Sequence, residues 1–152
     1  MMTKQANQLR EHNPGTRSLI YVTSRDKHRL DELLREVEAS NPRKHGDLRA
    51  LEEELGRAII VDPEDVPADV ITMNSRADML DLDSGETVTF TLVFPSEANV
   101  EEGRISVLAP IGAGMLGYRV NDEFEWKVPE GVRRMRVTRV HYQPEASGNF
   151  DR

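Results

Sequence analysis

The sequence predicts an α+β protein: a short N-terminal antiparallel helical hairpin, then a small antiparallel β-sheet domain with one short helix. Three observations predict it. Apolar residues recur at helical spacing in two segments before residue 60, joined by a short polar loop. Period-two alternation takes over after residue 70. Between them, Val61 to Pro67 carries two prolines and three acids, the composition of a linker.

The elements follow in chain order. Met1 to Thr16 is polar and ends in Asn13-Pro14-Gly15, a turn signal. Residues 1–17 are expected to be mobile, and without an apolar stretch they do not form a secretory signal. Ser18 to Val22 reads as a short extended lead-in. Thr23 is placed to cap a helix, with Asp26 three residues on. Leu30, Leu33, Leu34 and Val37 then share one stripe, while Asp31, Glu32, Arg35 and Glu36 fall outside it. Pro42 ends this helix near Ser40, because a residue before proline is pushed out of the α region. Asp47 is a second N-cap candidate. Leu48, Leu51, Leu55, Ala58 and Ile59 make the second stripe, with Glu52, Glu53, Glu54 and Arg57 outside. Two such helices must pack antiparallel to bury their stripes, giving a rod about 20 Å long.

Beyond the linker, Val70–Met73 and Met79–Leu82 read as extended, and Asp83-Ser84-Gly85-Glu86 as a turn. Thr87 to Phe94 alternates threonine with apolar residues, as a half-buried strand does. Ile105–Leu108 is a further strand, and Pro110–Gly117 holds one or two helical turns. Glu123–Val128 alternates around Phe124 and Trp126. Val132–Tyr142 alternates again, with Val137 and Val140 as core positions. The expected division is residues 1–17, a hairpin at 18–62, a sheet domain at 68–143 and a tail at 144–152.

Composition excludes several functions. With no cysteine, disulfides, thiolate chemistry and cysteine-based zinc sites are impossible. A net charge of −7 argues against DNA binding by this chain on its own, which needs an excess of Lys and Arg. The longest uncharged run, Ile105–Tyr118, is interrupted by Pro110 and is too short to span a bilayer. A soluble, cytoplasmic, monomeric protein is expected. The four histidines, His12, His28, His45 and His141, match no metal-ligand spacing. No carboxylate pair or Ser/His/Asp arrangement stands out, so neither cofactor nor catalytic site is expected.

Three features have two readings each. Gly112-Ala113-Gly114-Met115-Leu116-Gly117 matches G-x-G-x-x-G. A dinucleotide site needs that motif inside a βαβ unit, and none fits the residues that remain. A strand-to-helix turn packed closely on the sheet accounts for it. The basic loop Arg43-Lys44-His45, with Asp47, sits at the hairpin tip, where it can meet phosphates or acidic protein or simply be solvated. Met73, Met79 and Met115 can serve as soft surface contacts, but core filling is their commoner role. The residues alone reach a helical hairpin with a β domain, a binding protein.

Ile105 to Asp122, which reads I-S-V-L-A-P-I-G-A-G-M-L-G-Y-R-V-N-D, resembles a signature run of the Gre-type transcription elongation factors, and Val128-Pro129-Glu130-Gly131 resembles the turn that follows it there. Asp69 to Arg76 and Tyr142 to Ala146 resemble the Rnk branch, named for regulating nucleoside diphosphate kinase. The resemblance implies an N-terminal coiled coil and an FKBP-like C-terminal domain. It also implies a partner, bacterial RNA polymerase, bound at the rim of its secondary channel. In that family a loop matching Ala109, Pro110, Ile111 and Gly112 helps dock the domain, with Ile111 expected here as an exposed apolar knob. Cleavage-competent relatives carry a tip of the form D-L-x-E-N-x-E-Y that holds magnesium. Here Asp47-Leu48 keeps its opening, but Ala50 replaces the acid and Leu51 the asparagine. A lone carboxylate is a poor Mg²⁺ holder. The expectation is a non-enzymatic regulator that competes with Gre-type factors at the channel. The alternatives are a cleavage factor using Asp47 with acids from Glu52 to Glu54, and an FKBP-like binding module without polymerase.

Overall fold

The computed structural model of the chain describes residues 19–40 and 45–150, without the side chains of 45–47. The segment 1–17, Arg43 and Lys44, and the side chains of His45 and Asp47 lie outside the described residues.

Strand β1 (Tyr21–Thr23) leads into helix α1 (Ser24–Ser40), and helix α2 (His45–Arg57) leads into strand β2 (Ile59–Val61). β1 and β2 pair in parallel, with Tyr21 opposite Ile59 and Thr23 opposite Val61. That pairing sets the start of α1 beside the end of α2, so the helices run antiparallel. Thr23 caps α1 as expected, its Oγ1 accepting the Asp26 N–H at 3.0 Å. Leu30 and Leu34 of α1 are buried in one cluster with Leu48, Leu51 and Leu55 of α2. Each such leucine contributes about 1.5–3 kcal/mol of burial.

Three expectations about the hairpin are corrected. α2 begins at His45, which puts Asp47 inside its first turn rather than at the cap. Ile59 leaves the helix for β2 and is 37% exposed. Glu54 is buried, not solvated, because Arg57 three residues on pairs with it at 2.9 Å.

Five strands form the second sheet: β3 (Arg76–Asp81), β4 (Thr87–Val93), β5 (Arg104–Ser106), β6 (Glu123–Val128) and β7 (Gly131–Tyr142). Their order is β5-β4-β3-β7-β6. The pairs β3–β4, β3–β7 and β6–β7 are antiparallel. β5 instead runs parallel to β4, so the sheet is mixed rather than antiparallel throughout. The cause is the connection. Two short helical turns, Pro95–Glu97 and Val100–Glu102, carry the chain back before β5 begins, where a tight hairpin would have reversed it. Residues 70–73 form no strand; Val70 makes a single bridge to Arg119.

Helix α3 (Pro110–Met115) lies against the sheet, with proline at its first position. A Cβ on Gly112 would sit 2.1 Å from the Ser106 carbonyl oxygen, so only glycine allows this approach. Gly117 has φ +85 and backs onto Ile20, where a Cβ would come within 2.7 Å. The glycine motif is thus a packing device. Asn121 takes a φ of 78, and asparagine is among the few residues that tolerate it. Met73, Met79 and Met115 are all buried, which makes them core residues. No helix among the described residues is long and apolar enough to cross a membrane.

Candidate functional site

Three regions bear on function: the loop at the start of α3, the hairpin, and the junction between hairpin and sheet.

The loop is built by Ser106. Its Oγ accepts the Leu108 N–H at 3.0 Å, and its carbonyl accepts the Ala109 N–H at 3.0 Å. Ala109 then stands at the N-cap of α3 with extended backbone. Of the four loop residues, Pro110 is exposed and Ala109 half-buried, while Ile111 and Gly112 are buried. Ile111, 8% exposed, belongs to the core. The exposed apolar knob expected there is absent, because the first turn of α3 rotates Ile111 toward the sheet. What the loop presents outward is proline and alanine.

The hairpin disperses its acids. Glu52 and Glu53 are exposed on α2. Glu54 points to the base: Arg57 Nε donates to its Oε1 at 3.0 Å, and Arg57 Nη2 donates to the Tyr118 hydroxyl at 2.9 Å. Glu54 lies seven residues from Asp47, about 10 Å along the helix. A groove between the helices has Leu34 and Leu55 among its lining, with Lys27, Asp31, Arg35, Glu38 and Glu52 around them. Among the described residues, no three His, Cys, Asp or Glu side chains gather so as to hold a metal ion. His28 meets Glu32 at 3.4 Å and His141 meets Asp78 at 2.9 Å; His12 lies outside the described residues.

The junction was not foreseen from the sequence. Asp26, 1% exposed, reaches across it. Its Oδ2 accepts the Met73 N–H at 3.0 Å, and its Oδ1 accepts Arg29 Nη2 at 2.9 Å. The Arg29 guanidinium lies 4.7 Å from the centre of the Phe94 ring, just beyond β4. Beside Met73, the Thr72 hydroxyl donates to Glu145 Oε1 at 2.7 Å, in the segment after β7. Thr72 Oγ1 also lies 2.9 Å from Ser75 Oγ, which accepts the Thr72 N–H. With its one proton given to Glu145, Thr72 must accept from Ser75. Burial pushes the Asp26 carboxyl above its ordinary range, against the opposing pull of Arg29 and the Met73 N–H. Burial likewise raises Glu145, the Thr72 hydroxyl opposing and the Asp26 charge adding to the shift.

Two further contacts tie the same region together. Gln143 Nε2 donates to the carbonyls of Pro67 and Val70, at 2.7 and 2.8 Å. Asp69 accepts Arg119 Nε at 2.9 Å. The two segments that carry the branch-specific resemblance, Asp69–Arg76 and Tyr142–Ala146, are therefore in contact. A signal for Asp26 was present: it lies four and eight residues before Leu30 and Leu34, on the apolar stripe.

Comparison with known proteins agrees with this layout. A family model for the Rnk N-terminus matches residues 19–61, and one for the transcription elongation factor GreA/GreB, C-terminal part, matches residues 66–142. The chain is 39% identical over 137 residues to the regulator of nucleoside diphosphate kinase of Escherichia coli strain K12, covering 89% of this chain and 98% of that one. It is 33% identical over 97 residues to the transcription elongation factor GreA of Syntrophotalea carbinolica, covering 64% of this chain and 61% of that one. Among solved structures, the prokaryotic transcription elongation factor GreA/GreB from Nitrosomonas europaea is 41% identical with a TM-score of 0.64, covering 81% of this chain and 99% of that chain.

Proposed function

Because the chain belongs to the Rnk branch of the GreA/GreB transcription elongation factor family, we propose that it binds bacterial RNA polymerase at the secondary channel, competes there with Gre-type factors, and does not promote transcript cleavage. On this reading residues 18–62 form a short coiled-coil hairpin, 68–143 an FKBP-like docking domain and 144–152 a tail. The protein is a cytoplasmic monomer and no prolyl isomerase.

One observation supports the non-enzymatic part: the described acids of α2, Glu52, Glu53 and Glu54, do not converge. Glu54 is held at the base by Arg57, Glu52 and Glu53 are spread on the exposed side, and Ala50 and Leu51 stand beside Asp47 in sequence. A divalent ion in a polymerase centre needs carboxylates or phosphates acting together. The 17 residues of α1 span about 25 Å, which also limits reach.

The test uses stalled elongation complexes made with purified polymerase. The protein should co-purify with core polymerase, should displace a Gre-type factor, and should leave the nascent transcript at full length. Shortening of the RNA from its 3′ end above the polymerase-only rate would refute the non-cleaving reading. Failure to co-purify would refute the polymerase reading.

A further inference from the structure

We infer that Asp26 is a positioning residue that sets the direction of the helical hairpin relative to the sheet domain, with Glu145 as its latch. This deepens the polymerase-binding reading and rests on it only for its consequence, not for the geometry.

A carboxylate with 1% exposure is expensive to bury, and an apolar residue at the same place on the α1 stripe would extend the leucine cluster. Asp26 instead directs its two oxygens to different ends. One holds Arg29, on its own helix, and the other holds the Met73 amide, in the segment that enters the sheet. A hydrogen bond to a fixed backbone amide constrains angle as well as distance, which an apolar contact does not. The cation then ties the assembly to a third element, since Arg29 stacks on Phe94.

Glu145 acts on the neighbouring residue of the same segment. It holds Thr72, the residue before Met73, and Thr72 is held in turn by Ser75. Asn74, between them, takes the left-handed φ of 69 and donates its N–H to the Leu92 carbonyl at 2.6 Å. The amide that Asp26 grips is thus fixed by a turn, a strand and the segment after β7. Gln143 anchors that last segment to the Pro67 and Val70 carbonyls.

α2 has its own tie, from Arg57 to Tyr118, and β1 joins Gly117 through the Tyr21 N–H at 3.1 Å. Those contacts, with α2 packed against α3, hold the end of α2 and β1. Asp26 supplies the tie at the start of α1, on the other helix. A hairpin aimed correctly for only a tenth of the time would lose about tenfold in apparent affinity for a channel that accepts one direction.

The absence of cysteine allows a direct measurement. Spin labels are attached to cysteines introduced at exposed Glu36 in α1 and exposed Glu125 in β6, and their distance is read by pulsed electron resonance in the otherwise complete chain. The parent protein should give one narrow distance. Asp26→Ala should give a broad or double distribution, with far-ultraviolet circular dichroism unchanged. Asp26→Asn, which keeps an acceptor for the Met73 amide, should restore the narrow distance. Glu145→Ala, on a half-buried side chain, should broaden it to a lesser degree and serves if Asp26→Ala does not fold.

Narrow distances in folded Asp26→Ala and Glu145→Ala, or equal broadening in Asp26→Asn and Asp26→Ala, would overturn the assignment. Polymerase affinity of the same proteins is read separately. A parent protein that fails to bind polymerase defeats the functional reading and leaves the distance result standing.

Discussion

Asp26 and Glu145 on one side, and Asp78 and Asp81 on the other, make opposite demands on pH. Burial raises the first two. Asp78 is lowered by the Thr89 hydroxyl and by His141, and Asp81 by the Ser84 N–H and by Arg133. A raised carboxyl favours the folded state when protonated. Its contribution is absent at neutral pH, grows as pH falls through the raised value, and is complete at the ordinary value, 3.8 for Asp26 and 4.5 for Glu145. A lowered carboxyl contributes when charged. Its share is intact at neutral pH and is lost as pH falls below 3.8 toward the folded value. Urea unfolding across pH should therefore show stability rising on mild acidification, then falling in strong acid. In Asp26→Asn with Glu145→Gln the rise should vanish while the acid loss persists. An unchanged rise in that double variant would remove these two residues from the account.

At the scale of elements, α3 shows a glycine motif that allows close approach of backbone to backbone. Four of its six residues are buried, and Gly112 lets the helix meet the Ser106–Val107 backbone directly. Gly112→Ala should cost at least about 1–3 kcal/mol, the usual range for overpacking, because the nearest atom is backbone and cannot swing away. Gly56→Ala is the control: nothing lies within 4 Å of its Cβ and it sits in α2, so it should be neutral or slightly stabilising. Thermal unfolding of the two variants, measured side by side, checks the difference. Equal melting temperatures would mean that α3 shifts to make room. The mixed sheet belongs to this scale as well. Alternation located β4 and an apolar run located β5, but their relative direction depends on the two helical turns between them, whose course local patterns do not encode.

For the whole molecule, the hairpin and the sheet form one object rather than two modules on a linker. Ile71 exchanges backbone hydrogen bonds with Tyr118 and Gly117, Tyr118 receives Arg57, and Asp26 holds Met73. A surface contact can therefore be altered without disturbing direction. Pro110→Glu is such a change, since Pro110 is exposed while its neighbour Ile111 is core. Under the polymerase reading it should weaken binding at least about tenfold, roughly 1.4 kcal/mol, with the melting temperature held. Retained affinity would move the docking contact to another surface. A charge at Ile111 would test folding instead.

Both helices, most strands, the Thr23 cap and the family were legible in the chain, because each rests on spacing within a few residues or on a contiguous motif. Glu54 and Ile111 were misplaced, as was the direction of β5, and the junction role of Asp26 was missed. Glu54 looks like a surface acid until Arg57 is brought against it, and nothing local directs Asp26 to Met73, 47 residues away. Ile111 looks exposed until α3 meets the sheet. A side chain's burial and partners are set by which distant backbone arrives beside it, and local patterns carry the propensity for an element but not the identity of what packs there.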